Sequence, residues 1–147
     1  MSLRLASITA RNQFFFWLEL RRRRHNMEIV GGIAQIAAAL WILNVWILRF
    51  NKETEYRAGD SKNMVEEFTA YGFPAKAVYL VGAVKVALSL LLIVGIWVDA
   101  LTRPAAAGLA LIMIGAIGMH VRVGDRPKKA MPAISVLVLT AVALIFA

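Results

Sequence analysis

The sequence predicts an all-α integral membrane protein: an up-and-down four-helix bundle with a short amphipathic segment in its first connection. Of its 147 residues, 60% are hydrophobic, and the mean hydropathy of +0.66 is far above that of a soluble domain. Four apolar runs recur along the chain, each close to the roughly 20 residues that a helix needs to cross a bilayer. Because most of the links between them are short, consecutive helices must run in opposite directions.

Charge and cysteine content narrow the classes of function. The formal net charge is +8, and the basic residues flank or separate the apolar runs. We therefore expect contacts with anionic lipid headgroups and no nucleic-acid partner. The chain has no cysteine, which excludes disulfides, thiolate ligands and cysteine-bound iron–sulfur clusters. Any redox role must borrow a cofactor or a partner, and a quinone is the one cofactor that we retain as an option.

Residues 1–26 form a basic, aromatic N-terminal tail. The apolar run Phe14–Leu18 is too short to span a bilayer, and four arginines follow it. We interpret this tail as an interfacial anchor or a targeting presequence, with a solvated, partly disordered segment as the third alternative. Met27 is an alternative start, because the apolar pattern begins directly after it. The residues expected at lipid headgroups are Arg21, Arg22, Arg23 and Arg24.

Residues 27–147 form the predicted four-span domain, with spans at about 29–48, 75–98, 104–123 and 130–147. Pro74 opens the second span and Pro104 the third, since proline suits the first helical turn. The third span is rich in glycine and alanine, which predicts close approach of a neighbouring helix. Lysine and arginine are almost evenly distributed between the two sides, so the orientation in the membrane stays open.

The first connection contains the predicted amphipathic segment, at about residues 63–71. Met64, Phe68 and Tyr71 recur there at helical spacing and are expected to face the mouth of the bundle. Glu66 and Glu67 are adjacent in sequence, so we expect them to be solvated and assign them no acid–base role.

Polar residues within the apolar runs are the candidates for an intramembrane ligand site or polar seam. Lys85 lies near the middle of the second span, where a cation costs about 2.5–3.5 kcal/mol, so it is expected to face the bundle interior. His120 is expected within about one helical turn of the same depth, where the two could share a cavity. The full set is Lys85, His120, Gln35 and Ser89.

The role of His120 stays open between a hydrogen-bonded structural residue, a proton carrier, and a contact to a haem or a quinone. No His, Cys or carboxylate accompanies it at ligand spacing, so no metal site is predicted. Gln35 is expected to form an interhelical hydrogen bond. Asp125 is expected to pair with a neighbouring arginine in a polar turn. The sequence does not allow a catalytic role to be assigned to any residue.

Two segments resemble the DoxX-like family of small four-helix membrane proteins: EEFTAYGFP from Glu66 to Pro74, and MHVRVGDRPKKAMPA from Met119 to Ala133. The resemblance extends over about residues 27–147. It implies a membrane-embedded four-helix bundle, in a family whose members have been linked to sulfur- or quinone-coupled oxidoreductase complexes, oxidative-stress complexes and receptor assembly. Besides Lys85 and His120, the positions matching the family are Tyr71, Gly72, Phe73, Pro74, Gly82, Gly124, Asp125, Lys128 and Pro132.

Three functions follow as hypotheses. The first is a multi-pass membrane protein that is a non-catalytic accessory or assembly subunit of a membrane complex and not an enzyme on its own. The alternative is a redox-associated, quinone-linked membrane subunit, and the second alternative is a small transporter or proton conductor. The expected partners are the lipid bilayer and either another membrane protein or further copies of this chain. We expect a bacterial-type cell membrane, or an organellar or endoplasmic reticulum membrane in a eukaryote.

Overall fold

The structure, a computed structural model, describes residues 2–146, and its account of side chains covers residue 13 and residues 16–146. Four long helices and one short helix make up this part of the chain, without a β-strand, which confirms the predicted all-α bundle. The helices are α1 (Ser2–Leu43, continued by a π-helical segment Asn44–Leu48), α2 (Met64–Ala70), α3 (Ala77–Val94), α4 (Asp99–Arg122) and α5 (Pro127–Phe146).

Four helical segments are long and apolar enough to cross a membrane: Phe16–Leu48, α3, α4 and α5. The chain is therefore a multi-pass membrane protein. The four long helices form a ring in which α1 contacts α3 and α5, and α4 contacts the same two helices. Large apolar side chains such as Leu80, Leu111 and Val121 remain exposed on the outside of this ring, where lipid would cover them.

Helix α1 is much longer than a membrane span. Its 42 residues correspond to roughly 63 Å, whereas the hydrocarbon core is about 30 Å thick. Residues 2–26, which make up most of the N-terminal tail expected from the sequence, are helical and continuous with the first span. The exposed side chains of Arg21–Arg24 lie on this extension, a few residues before the apolar stretch that begins at about Ile29.

Helix α4 begins at Asp99, five residues before the expected start of the third span. The negative charge of Asp99 in the first turn complements the helix dipole. Pro104 therefore lies inside the helix. Because proline has no N–H, the carbonyl of Ala100 loses its i→i−4 hydrogen bond, but Ala100 is an exposed residue. The predicted close approach occurs at Gly108, where an added Cβ would lie 3.1 Å from Leu88, whereas Gly115 and Gly118 face open space.

A buried polar cluster joins three helices at one end of the bundle. The Gln35 side-chain amide of α1 donates hydrogen bonds to the carbonyl of Leu92 (2.5 Å) and to the hydroxyl of Thr102 (3.1 Å). That hydroxyl in turn donates to the carbonyl of Gly95, just beyond α3. The side-chain amide of Gln35 thus connects α1 to α3 and α4. The opposite end of the bundle carries the candidate functional site.

Candidate functional site

A cavity of about 980 Å³ lies between the four long helices and beneath α2. Its walls are largely aliphatic and aromatic, with Trp41, Trp46 and Phe68 among them, and it is within the size range of small-molecule sites. Polar side chains line it where α2 covers the bundle. The principal ones are Arg57, Glu67, Tyr71, Lys85 and His120. The structure therefore brings Lys85 and His120 to one cavity.

Lys85 lines this cavity with its side chain packed against an aromatic ring. Its ammonium nitrogen lies 4.9 Å from the centroid of the Trp46 ring, within the range of a cation–π interaction. Lys85 is only 8% exposed, yet among the described residues its ammonium group forms no ion pair and no hydrogen bond with a protein acceptor. Its N–H donors are therefore unused by the part of the chain that the structure describes.

The position of Trp46 depends on two features of the backbone. Trp46 lies in the π-helical segment at the end of α1, a type of helical irregularity that is frequent at functional sites. Its ring packs directly on Gly82 of α3, where an added Cβ would lie 2.5 Å from the indole. Phe68 closes the other side, with ring centroids 6.1 Å apart. Gly82, one helical turn before Lys85, thus makes room for the ring beneath the ammonium group.

The end of α2 sets the position of Tyr71. Gly72 has φ +83°, and the backbone N–H groups of Gly72 and Phe73 donate to the carbonyls of Thr69 and Phe68. This is a Schellman ending, which favours glycine at the left-handed position. The rings of Phe68 and Phe73 pack 6.0 Å apart, the apolar contact that accompanies this motif. Tyr71, the last residue before the glycine, is thereby directed toward α4 and is buried.

The end of α4 has the same construction and sets the position of Asp125. Gly124 has φ +73°, its N–H donates to the carbonyl of Val121, and the N–H of Asp125 donates to the carbonyl of His120. The chain therefore folds back, and the Asp125 carboxylate lies 2.8 Å from His120 Nδ1. Two Schellman endings thus place Tyr71 and Asp125 on opposite sides of one imidazole ring.

A continuous hydrogen-bonded series results. Tyr71 Oη lies 3.1 Å from His120 Nε2, and it lies 3.1 Å from Glu67 Oε1, to which it can donate. The second carboxylate oxygen of Glu67 forms a buried ion pair with Arg57 at 2.7 Å. At the other end, Asp125 accepts a hydrogen bond from the backbone N–H of Gly59 at 2.9 Å. The series links α2, α4 and the connection before α2.

Burial and charge shift two pKa values in this series. Burial raises the pKa of the Tyr71 phenol, and the neighbouring negative charge of Glu67 raises it further, so this hydroxyl keeps its proton. Burial by itself would raise the pKa of Asp125, but the Gly59 N–H, the His120 ring and the Lys129 ammonium group together lower it. Asp125 is therefore ionised at neutral pH.

Two expectations from the sequence are wrong at this site. Glu67 was expected to be solvated, but only Glu66 is exposed, because the α2 helix turns Glu67 inward toward Arg57. Asp125 was expected to pair with a neighbouring arginine; instead it contacts His120 and Lys129. Sequence reasoning missed Arg57 altogether. The only available signal was that Arg57 and Glu67 both lie in the long segment of mixed charge between the first two spans. That signal does not show which of the charged side chains in the segment meet.

The remaining predicted residues lie around this site or apart from it. Ser89 is fully buried but donates to the carbonyl of Lys85 in its own helix, and Gln35 belongs to the polar cluster at the other end. Lys128 pairs with Glu55 at 2.6 Å on the surface. Pro132 and Phe73 line the cavity, and the carbonyl of Pro74 accepts a hydrogen bond from the N–H of Ala77 at the start of α3.

A family model described as the DoxX-like family matches residues 56–143, which is more than half of the chain. The chain belongs to the DoxX-like family. The match begins in the first connection, so it includes Arg57, Glu67, Tyr71, Lys85, His120 and Asp125, while α1 with Gln35 and Trp46 lies before it. No curated protein and no solved structure matches the chain. Both Schellman endings and the polar series between them thus lie within the family match.

Proposed function

We propose that this protein binds a lipid-soluble carbonyl compound of the quinone class in the cavity, and that it acts as an accessory subunit of a membrane redox complex. The observation that carries the proposal is Lys85, a nine-tenths buried ammonium group in a largely apolar cavity, with no carboxylate within ion-pair distance among the described residues. A charged group at membrane depth is costly and is usually retained for function. A carbonyl oxygen of a bound ligand would accept a hydrogen bond from the Lys85 ammonium group.

The cavity fits such a ligand in size and chemistry. A volume of about 980 Å³ accommodates a ring with part of an apolar tail, and aromatic and aliphatic side chains provide most of the walls. The ammonium of Lys85 can only donate hydrogen bonds, whereas Tyr71 and His120 can donate or accept them, which suits a head group rich in acceptors. A bound quinone would supply the electron-carrying chemistry.

The accessory role follows from what the chain can do by itself. It has no cysteine, and among the residues described here no group of three His, Asp or Glu side chains could hold a metal ion. Electrons for the bound ligand would therefore come from a partner protein. Purification from native membranes in a mild detergent should recover that partner in a constant ratio. Recovery of this chain alone, under conditions that preserve known membrane complexes, would contradict the accessory role.

Ligand binding can be measured directly with decylubiquinone, a short-tailed quinone, by quenching of tryptophan fluorescence. Two of the four tryptophans, Trp41 and Trp46, line the cavity. We expect saturable quenching, and an affinity about 10- to 100-fold lower for Lys85→Met, the effect of losing one charged hydrogen bond. Lys76→Met is the matched control, because this exposed lysine lies just before α3 and outside the cavity.

Two results would overturn the binding proposal. One is quenching that rises linearly with decylubiquinone without saturation, since this indicates partitioning into the detergent or lipid. The other is an equal affinity for the wild type, Lys85→Met and Lys76→Met. Thermal unfolding of each variant shows whether its fold is retained, and a variant that is unfolded is replaced by Lys85→Gln.

A further inference from the structure

Three hydrogen-bond contacts stand in series at the mouth of the cavity. They join Glu67 Oε1 to Tyr71 Oη (3.1 Å), Tyr71 Oη to His120 Nε2 (3.1 Å), and His120 Nδ1 to Asp125 Oδ2 (2.8 Å). Every contact needs one proton between its two heavy atoms. With both carboxylates ionised, a neutral tyrosine and a neutral histidine supply only two protons. The geometry therefore has room for one proton more than the neutral side chains provide.

We propose that Glu67, Tyr71, His120 and Asp125 form one proton-binding site, in which His120 takes up the proton and the Tyr71 hydroxyl reverses its direction. With a neutral ring, His120 Nδ1–H donates to Asp125, and Tyr71 donates to the bare Nε2 nitrogen. When a proton from water binds Nε2, the new N–H donates to Tyr71 Oη. The phenolic proton then turns to Glu67 Oε1, and all three contacts are complete.

Other groups around the series keep this proton count unambiguous. Tyr71 retains its own proton because burial and Glu67 raise its pKa, and the lowered pKa of Asp125 keeps that carboxylate ionised. Arg57 contacts Glu67, and Lys129 lies 3.5 Å from Asp125, so each carboxylate also has a cationic neighbour. Lys85 from α3 and Arg49 from the end of the first span line the same cavity. The charged groups around the site are therefore four cations and two carboxylates.

The site also connects proton uptake to the covering of the cavity. Glu67 and Tyr71 are carried by α2 and its C-terminal end, which line the cavity together with Met64 and Phe68. His120 belongs to α4, so the Tyr71–His120 contact holds α2 to the bundle. One Tyr71–His120 hydrogen bond joins α2 to α4 in either state, and it becomes charge-assisted, and therefore stronger, when His120 is protonated. The additional hydrogen bond of the protonated site, from Tyr71 to Glu67, lies within α2 and its C-terminal end.

Nuclear magnetic resonance can test this proposal without any added ligand. The chain has only two histidines and three tyrosines, so selective ¹³C labels on the imidazole and on the phenolic carbon give few signals. In detergent micelles between about pH 5 and 9, where histidine charge changes, we expect the Tyr71 signal to move with the same midpoint as His120. His25 and Tyr79 are exposed and serve as references within the same sample.

A Glu67→Gln variant tests the proton count itself. The glutamine amide can donate to Tyr71, so the three contacts are complete without an added proton. We expect the His120 titration midpoint to move to lower pH by about one unit, close to the effect of one hydrogen bond. Glu53→Gln removes an exposed carboxylate in the same connection and should leave the midpoint unchanged.

The proposal fails if the Tyr71 signal stays constant while His120 titrates, or if Glu67→Gln leaves the midpoint of His120 where it was. Should Glu67→Gln fail to fold, Tyr71→Phe replaces it, and the same downward movement is expected because Nε2–H then lacks an acceptor. Since no quinone is present in these titrations, their outcome is independent of the fluorescence experiment with decylubiquinone.

Discussion

The ammonium group of Lys85 lies over the face of Trp46, 4.9 Å from the ring centroid, and the ring is there because Gly82 has no side chain. Three elements therefore determine one interaction: the π-helical end of the first span, a glycine of α3, and the lysine one turn after it. A cation at membrane depth is tolerated when its surroundings compensate the cost of leaving water. Here an aromatic ring provides part of that compensation.

Replacing Gly82 by alanine should displace Trp46. The new Cβ would lie 2.5 Å from the ring, so the indole must shift, and overpacking of this kind costs about 1–3 kcal/mol. We expect a lower unfolding temperature in detergent and a changed tryptophan emission spectrum. Gly118→Ala is the control, because nothing lies within 4 Å of its added Cβ. Equal behaviour of the two variants would contradict the described packing.

The buried pair of Arg57 and Glu67 should show strong coupling in a double-mutant cycle. Each side chain is at most 10% exposed, so removing one partner leaves an uncompensated buried charge, at a cost of about 3–5 kcal/mol. Arg57→Met and Glu67→Met are each expected to be strongly destabilising, while the double variant recovers much of the loss. Chemical denaturation in detergent measures all four proteins. Additive effects would show that the two charges do not interact.

Asp125 should make stability depend on acid. Its pKa in the folded state is lowered from the ordinary value of 3.8, so its contribution is complete above pH 3.8 and is lost as the pH falls through the lower folded-state pKa. We expect Asp125→Asn to be less stable than the wild type near pH 7, and the difference to shrink below about pH 4. Thermal unfolding across this range measures it. Asp60→Asn, at an exposed carboxylate of the connection before α2, should show no such convergence.

Gln35 should matter more for stability than a threonine that bonds within its own helix. Gln35→Leu removes hydrogen bonds that connect three helices, and we expect a loss of about 1–2 kcal/mol. Thr140→Val is the comparison, since the Thr140 hydroxyl donates to carbonyls of α5 itself. A larger effect for Thr140→Val in denaturation assays would contradict the role of the Gln35 cluster.

Much of the fold could be predicted from the sequence because the bilayer imposes a simple requirement. A run of about 20 apolar residues must be helical to satisfy its backbone, and most of the links are short, which forces neighbouring helices to alternate in direction. The helical boundaries were less predictable. Pro104 was expected at the start of the third span, but α4 begins at Asp99, since a helix accepts proline when only one hydrogen bond near its end is lost.

The candidate site was only partly accessible to sequence reasoning. Lys85 stood out because charge at membrane depth is rare. Tyr71, His120 and Asp125 stood out because they lie in segments that resemble the DoxX-like family. Glu67 and Arg57 did not, because a carboxylate in a polar connection looks solvated until another segment covers it. The glycines at positions 72 and 124 were visible as turn residues, but the direction in which they point Tyr71 and Asp125 was not.

By itself, the sequence determined that this chain is a membrane-spanning helical bundle with a lysine in its second span, because hydropathy and length depend only on local composition. Only the tertiary structure decided which polar groups meet. Trp46 lies under Lys85, and Tyr71 and Asp125 lie on either side of His120, because two helix ends turn back toward each other across the mouth of the bundle. Contacts between residues about 50 positions apart depend on packing, which no local pattern of residues encodes.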